Sequence, residues 1–374
     1  MKRLLQWNLM VWLIYWSFLA EARQPDMIFA YRSTVKDQYC TNNGRGEFTC
    51  TDLRPDTTYS YDVAVGDLDG DNRPDVVITT LNNPNSVCLN DGNWSFVCGP
   101  IESVSNNTTG VALGDLNGDD TLDVVFCSSG HEARSCLNDG AGSFSCNDVG
   151  FGENSAYGVA VGDLDDLNGP DLVFANYLSP DRVCLNDGSG SFSCADVSAD
   201  TYEGADVALA DLDGVNGLDL VFVNGNQAAR KCLNNGAGSF ACNDFGLSGA
   251  YSVALEDLDG VNGVDAVFAV RGWRNNICLN DGMASFACTE ISLDGNDSFG
   301  VALADIDGNG YFDAVFANHN GPNRACLNDG AGSFSCDNVS SDTNDSRAVA
   351  AILGWHFSDG FETGDVSAWS NAEP

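Results

Sequence analysis

Histidine and lysine are scarce in this chain of 374 residues, which has three of each. No histidine belongs to an H-E-x-x-H motif and no lysine follows a glycine, so the zinc-protease signature and the phosphate-binding P-loop are both excluded. Basic residues number 16 against 54 acidic ones, and the formal net charge is −38. A surface of this sign repels phosphate, so nucleic acid is not an expected partner.

Long hydrophobic runs are also scarce. The single one follows the basic start Met1-Lys2-Arg3. A positive start, a short apolar stretch and the small-residue site Ala20-Glu21-Ala22 together predict a secretory signal peptide over residues 1–22. An uncleaved membrane anchor is the alternative. No second apolar segment approaches transmembrane length, so we expect no stable membrane span after signal cleavage. The predicted location is extracellular or at the cell surface.

Cysteine is abundant, with 15 residues, and fourteen of them form pairs separated by nine residues. Pairs behind a secretion signal favour disulfides, whereas zinc sites need tighter C-x2-4-C knuckles. The odd residue, Cys127, occupies a position where sibling repeats carry alanine, so we expect a buried, inert thiol. The expected disulfides are Cys40–Cys50, Cys88–Cys98, Cys136–Cys146, Cys184–Cys194, Cys232–Cys242, Cys278–Cys288 and Cys326–Cys336.

The cysteine pairs mark a repeat, since their first members are spaced by 48, 48, 48, 48, 46 and 48 residues. Each unit contains four short strand-like stretches separated by turn-forming residues. A unit of this size with four strands is typical of a propeller blade rather than of a helical solenoid.

The two ends of the array complete one another. Residues 26–30 align with the second strand of a later unit, and residues 348–350 align with a first strand. Joining the two fragments removes the open edges that an unclosed array would leave. We therefore predict an all-β, seven-bladed β-propeller over 23–354 with four strands per blade, one blade combining three N-terminal strands with one C-terminal strand. Residues 355–374 form a tail, a possible sorting element.

A nine-residue acidic loop lies between the first and second strands of six units. Loops 67–75, 115–123 and 305–313 carry side-chain oxygens at positions 1, 3, 5 and 9, which suit a hard cation such as calcium. A solvated acidic turn is the alternative. Loops 163–171, 211–219 and 257–265 have Leu167, Val215 or Val261 at position 5, followed by Asn-Gly. In these loops either calcium binds with one ligand fewer, or the asparagine rebuilds the turn without metal.

The pattern V-A-x-G-D-x-[DN]-G-[DN]-x-x-x-D, followed by C-L-N-D-G-x-G-x-F, resembles the FG-GAP/VCBS repeat of integrin-α-like seven-bladed propellers. The resemblance implies calcium as the cofactor. The ligands implied in the three oxygen-rich loops are Asp67, Asp69, Asp71, Asp75, Asp115, Asn117, Asp119, Asp123, Asp305, Asp307, Asn309 and Asp313. The corresponding residues in the loops that depart from the pattern are Asp163, Asp165, Asp171, Asp211, Asp213, Asp219, Asp257, Asp259 and Asp265.

Two sets of recurring residues are candidates for ligand contact on the opposite face. Arg134, Arg182, Arg230 and Arg324 each precede a cysteine by two positions, and they either bind an acidic ligand or form salt bridges with neighbouring connections. Aromatic residues stand just before the innermost strand, where we expect packing between blades, with sugar stacking as the alternative. These are Tyr61, Tyr157, Tyr251 and Phe299. Trp273, in a variable loop, is the best single candidate for an exposed sugar platform.

These observations predict a secreted, calcium-binding propeller that acts as a non-enzymatic adhesion or recognition module for an extracellular glycan or protein. The sequence contains no evident catalytic constellation. A polysaccharide lyase or hydrolase on the same scaffold is one alternative, because fold alone does not decide function. A structural surface scaffold is the other.

Overall fold

The structure, a computed structural model, describes residues 24–352 except 93, 104, 105, 151, 153, 292–294, 342 and 344. The predicted signal peptide (1–22) and C-terminal tail (355–374) lie outside the described residues. Within the described part of the chain, all regular structure is β-strand, and there is no helix long and apolar enough to cross a membrane.

Hydrogen bonding arranges 28 antiparallel strands into five four-stranded sheets and one eight-stranded sheet. In chain order the strands are β1 (Asp26–Tyr31), β2 (Gln38–Asn42), β3 (Phe48–Asp52), β4 (Ser60–Gly66), β5 (Asp75–Thr80), β6 (Ser86–Asn90), β7 (Phe96–Pro100), β8 (Thr108–Gly114), β9 (Asp123–His131), β10 (Arg134–Asn138), β11 (Phe144–Asp148), β12 (Asn154–Gly162), β13 (Asp171–Asn176), β14 (Arg182–Asn186), β15 (Phe192–Asp196), β16 (Gly204–Ala210), β17 (Asp219–Asn224), β18 (Ala228–Asn234), β19 (Phe240–Ser248), β20 (Ala250–Glu256), β21 (Asp265–Val270), β22 (Asn276–Asn280), β23 (Phe286–Glu290), β24 (Asp297–Ala304), β25 (Asp313–His319), β26 (Arg324–Asn328), β27 (Phe334–Asn338) and β28 (Ser346–Ile352).

Consecutive strands pair as meanders, and the first sheet joins the two ends of the described chain. Its order is β28-β1-β2-β3, with Ile28 opposite Ala350 and Phe29 opposite Val349. The predicted closure by a C-terminal strand is therefore confirmed. The eight-stranded sheet arises because β9 pairs with β12 near Ser129 and Ser155, which links β8–β11 to β12–β15.

The first strands of successive four-strand sets contact one another in a closed cycle. In order around the cycle they are β28, β4, β8, β12, β16, β20 and β24. Strands that carry the first cysteine of each pair lie further out, and the strands with the second cysteine lie at the rim, where side chains are alternately exposed. This is the arrangement of a β-propeller.

The core lies between neighbouring sheets and is centred on the second strand of each set. Strands such as β13 and β17 are buried along their whole length because both of their faces are covered. One cluster, for example, packs Val125 of β9 against Phe174 of β13. Burying one such phenylalanine contributes about 1.5–3 kcal/mol. Each sheet is thus stabilised mainly by its neighbours in the cycle.

All seven predicted disulfides form, each within one sheet. The two cysteines of a pair lie directly opposite one another, as Cys136 and Cys146 do, with Cα atoms 3.9 Å apart. The N-D-G-x-G turn between them needs two left-handed residues, which Gly140 (φ 75°) and Gly142 (φ 74°) supply. Cys127 is buried and unpaired, as expected.

Candidate functional site

In five of the six acidic loops the first aspartate accepts the N–H of the glycine at position 4, which holds the loop in a tight curl. In loop 67–75, Asp67 Oδ1 accepts the N–H of Gly70 at 2.8 Å and Asp67 Oδ2 accepts that of Asn72 at 2.7 Å. Gly70 has a φ of 75° and Asn72 a φ of 62°, so both adopt the left-handed conformation. The curl turns the side chains at positions 1, 3 and 5 of this loop toward one another.

Position 6 of the loop is a feature that the sequence analysis missed. In all six loops its residue has a positive φ, between 62° and 88°, and it is always asparagine, aspartate or glycine, the types that tolerate this conformation. The six residues are Asn72, Asp120, Asn168, Asn216, Asn262 and Gly310. The asparagine of the Leu167, Val215 and Val261 loops therefore has the same turn role as its equivalents in the oxygen-rich loops.

The aspartate at position 9 is buried and fastens the loop to its own sheet. Asp171 Oδ1 accepts the N–H of Asn186 at 2.8 Å, and Asp171 Oδ2 accepts that of Leu164 at 2.9 Å. Burial outweighs these hydrogen bonds and raises the pKa of Asp171 to about 7. The five equivalent carboxyl groups also have a pKa raised by burial, to about 6 or about 7; they belong to Asp75, Asp123, Asp219, Asp265 and Asp313.

Five loops bring three carboxylates together, with one oxygen of each lying within 4.8 Å of the others. The clusters are Asp67/Asp69/Asp71, Asp163/Asp165/Asp171, Asp211/Asp213/Asp219, Asp257/Asp259/Asp265 and Asp305/Asp307/Asp313. The three loops with an apolar position 5 thus gather the same positions 1, 3 and 9 as loop 305–313. In the first cluster Asp75 is replaced by Asp71, whose carboxylate also pairs with Arg73.

The donor atoms fit a hard cation. Among the described residues, Asn117 Oδ1 and Asp163 Oδ1 are buried loop oxygens without a hydrogen-bond partner. Carboxylates this close repel one another when ionised, and divalent cations with oxygen ligands relieve such repulsion. The repeated aspartate clusters could therefore hold metal ions.

The cysteine hairpin lies on the same face as the acidic loop and ties neighbouring loops together. Asn186, which follows Cys184-Leu185, donates from Nδ2 to the carbonyl of Pro170 in its own loop at 2.9 Å. The same Nδ2 donates to the carbonyl of Leu116, in the loop of the preceding sheet, at 2.9 Å. Equivalent bonds between sheets are made by Asn138, Asn234, Asn280 and Asn328.

At the opposite end of the first strands, each four-strand set has a β-bulge or irregularity that displaces one residue from the ladder, or two in β4. The displaced residues are Tyr61 with Asp62, Thr109, Tyr157, Ala205, Tyr251, Phe299 and Arg347. Bulges re-aim side chains, and here several converge: the rings of Tyr61 and Tyr157 lie 6.3 Å apart and those of Tyr251 and Phe299 5.0 Å apart.

The converging side chains enclose a cavity of about 270 Å³, which we call the axial pocket. Six of its lining residues are the bulge residues Tyr61, Tyr157, Ala205, Tyr251, Phe299 and Arg347. Tyr177, Glu203 and Gly225 complete one side. The four aromatic residues expected to pack between blades therefore line a shared cavity, and Tyr251 and Phe299 also contact each other between neighbouring sheets.

Comparison with known proteins agrees with this architecture. Residues 67–126, which include two acidic loops, match the FG-GAP-like repeat family. The β-propeller therefore contains an FG-GAP-like repeat. Its fold is similar to that of the BP39L lectin from Burkholderia pseudomallei, with a TM-score of 0.58 and 13% identity over 86% of this chain and 98% of the lectin. The comparison with curated protein sequences found no match.

The four arginines proposed as ligand donors lie near the rim of the propeller, each bonded across the two outermost strands. Arg134 pairs with Asp148 at 2.7 Å, and Arg182 with Asp196 at 3.0 Å. Arg230 bonds to Asp244 in the same way, and Arg324 bonds to Asn338. The salt-bridge alternative describes this geometry at the first three positions, whereas Arg324 meets an amide. An acidic or amide residue two positions after the second cysteine was the sequence signal for it.

Trp273 lies in the connection between β21 and β22, and 74% of its surface is exposed. Two residues earlier, the Arg271 guanidinium lies 5.7 Å from the ring centres of both Tyr251 and Phe299. The connection that carries Trp273 thus reaches the edge of the axial pocket.

Proposed function

We propose that this chain is a secreted, seven-bladed propeller that binds calcium and recognises an extracellular glycan or protein without chemical conversion. The blade count of seven is supported by the closed cycle of seven first strands and by the seven cysteine pairs. The proposed propeller spans 23–354, between a signal peptide and a C-terminal tail. Seven disulfides fit an oxidising, extracellular setting.

Calcium is the proposed cation of the acidic loops. The ligands would be the aspartates of the five clusters, together with Asp115, Asn117, Asp119 and Asp123 of loop 115–123. When bound, calcium supplies the positive charge that the clustered carboxylates need. The chain's own contribution is the curl at positions 4 and 6 and the buried carboxylate at position 9, which fix the oxygens before the ion arrives.

The observation that carries the proposal is that the two faces of the propeller bear different features. The aspartate clusters and disulfide hairpins occupy one face, whereas the axial pocket and Trp273 lie at the other end of the strands. Aromatic faces with a few polar groups are suited to sugar recognition, and the similarity in fold to a lectin points in the same direction. The face that does not need to hold metal is thus available for a ligand.

A glycan array and a pull-down with extracellular proteins, both in calcium buffer, test this function. We expect binding to at least one glycan or protein, weakened after chelation because the loops then lose their charge balance. An absence of binding on both platforms, with calcium shown to be bound, would refute the recognition function. Metal analysis of the same sample reports on calcium independently.

A further inference from the structure

We propose that the axial pocket is the binding site for a sugar that bears a carboxylate, such as a uronate, and that Arg347 holds the carboxylate. This inference rests on the proposed recognition function and narrows it to one site and one class of ligand.

The pocket lies where one four-strand set carries small residues. At the bulge position four sets carry Tyr61, Tyr157, Tyr251 or Phe299, whereas β16–β19 carries Ala205. The other two sets carry Thr109 and Arg347. The same sheet has Gly225 as the residue whose N–H bonds back to the start of the first strand, at 2.9 Å from the Glu203 carbonyl. In two neighbouring positions of the cycle this residue is Tyr177 or Arg271. The loss of two large side chains on one sheet therefore leaves the void.

Arg347 breaks the pattern in the opposite direction, since it introduces a positive charge where siblings have an aromatic ring. Its guanidinium lies 3.8 Å from the ring centre of Phe299 and 4.6 Å from that of Tyr61, and its Nη2 donates to the Tyr61 hydroxyl at 2.7 Å. No carboxylate of the described residues lies within 4.0 Å of Arg347, although the rim arginines Arg134 and Arg182 each have one.

This charge arrangement favours an anionic group. Aromatic faces attract cations, but Arg347 already lies over Tyr61 and Phe299, and Arg271 lies near Tyr251 and Phe299, so a cationic ligand would be repelled. A guanidinium offers paired N–H donors that match a carboxylate, and such bonds are strong when partly shielded from water.

The remaining walls suit a sugar ring. Tyr157, Tyr177 and Tyr251 offer ring faces and hydroxyl groups, and Glu203 can accept a hydrogen bond from a sugar hydroxyl. The volume of about 270 Å³ lies just below the roughly 300–1,000 Å³ of pockets for drug-sized ligands. The pocket therefore accommodates one sugar unit rather than an extended polymer.

Titration calorimetry in calcium buffer tests the assignment, with D-glucuronate and D-galacturonate as probes and D-glucose and D-galactose as neutral counterparts. Arg347→Tyr introduces the residue found at positions 61, 157 and 251, so the variant is expected to fold. We expect it to lose about tenfold or more in uronate affinity, with any neutral-sugar affinity unchanged. Ala205→Tyr fills the void and should abolish binding of both sugar classes. Arg324→Gln, at the rim, is the matched control and should bind uronates as the unchanged protein does.

The assignment is overturned if the unchanged protein binds neither uronate, or if Arg347→Tyr and Ala205→Tyr bind uronates as tightly as the control. Retention of a glycan or protein ligand from the array by both variants would separate the two conclusions. In that case the recognition function stands and the axial pocket is not its site.

Discussion

Replacing Asn186 with alanine should destabilise two neighbouring sheets together, because this buried side chain joins them. Its Nδ2 donates to the carbonyls of Leu116 and Pro170, and its Oδ1 accepts the N–H of Gly188 at 3.0 Å. Each bond contributes about 1 kcal/mol net, and removal leaves buried carbonyl groups without a partner. The free energy of unfolding should therefore fall by about 3 kcal/mol.

Guanidinium denaturation of the disulfide-intact protein in calcium buffer measures this change. Asn147→Ala is the matched control, because Asn147 is exposed on the rim strand β11, and its substitution should alter the unfolding free energy by less than about 0.5 kcal/mol. Since Leu116 and Pro170 belong to acidic loops, Asn186→Ala should also weaken calcium binding. A loss of stability no larger than that of the control would show that these bonds between sheets do not hold the ring together.

Three further predictions concern an acidic loop, the side chain of Asp206 and a cysteine hairpin. Asp213→Asn should lower the number of calcium ions bound per chain by one. An unchanged number would show that this loop does not bind calcium. Burial raises the pKa of Asp206 to about 6, above its unfolded value, so its contribution to stability is lost as pH rises from about 4 through 6. Asp206→Ser, which introduces the residue that Ser252 provides in the next sheet, should flatten the dependence of melting temperature on pH over that range; parallel curves would contradict this. Replacing both Cys232 and Cys242 with alanine should lower the free energy of unfolding by roughly 2–3 kcal/mol. An unchanged midpoint of denaturant unfolding would refute this prediction.

Much of the fold could be predicted because its determinants are local or periodic. Cysteines placed symmetrically about a turn face each other in any antiparallel hairpin, so Cys136 and Cys146 could be paired from spacing alone. The alignment of 26–30 with a second strand and 348–350 with a first strand predicted the pairing of β1 with β28. The acidic loops could also be recognised from the sequence, since their oxygens and glycine recur at fixed positions.

The axial pocket could not be predicted in the same way, because it depends on register and on small residues. A bulge is visible only once the pairing of two strands is known, so Tyr61 and Tyr157 could not be distinguished from packing residues. The void itself results from Ala205 and Gly225, and small residues carry no sequence signal of a binding site. Arg347 lies outside every motif, on a strand recognised only by its alignment.

The acidic loops recur around the propeller and the axial pocket does not, and this difference bears on how many ligands of each kind bind per chain. Every acidic loop carries its own excess of negative charge, so each must be balanced locally, and the number of cations should follow the number of loops. At the axis the sheets converge on one shared space. If every sheet carried the same side chain there, the space would contain neither a gap nor a single charged group. A ligand site there requires departures from the repeat, and Ala205, Gly225 and Arg347 are such departures. The proposed site at the axis therefore predicts one ligand per chain alongside several cations, whereas a site between neighbouring sheets would repeat with them and predict several ligands.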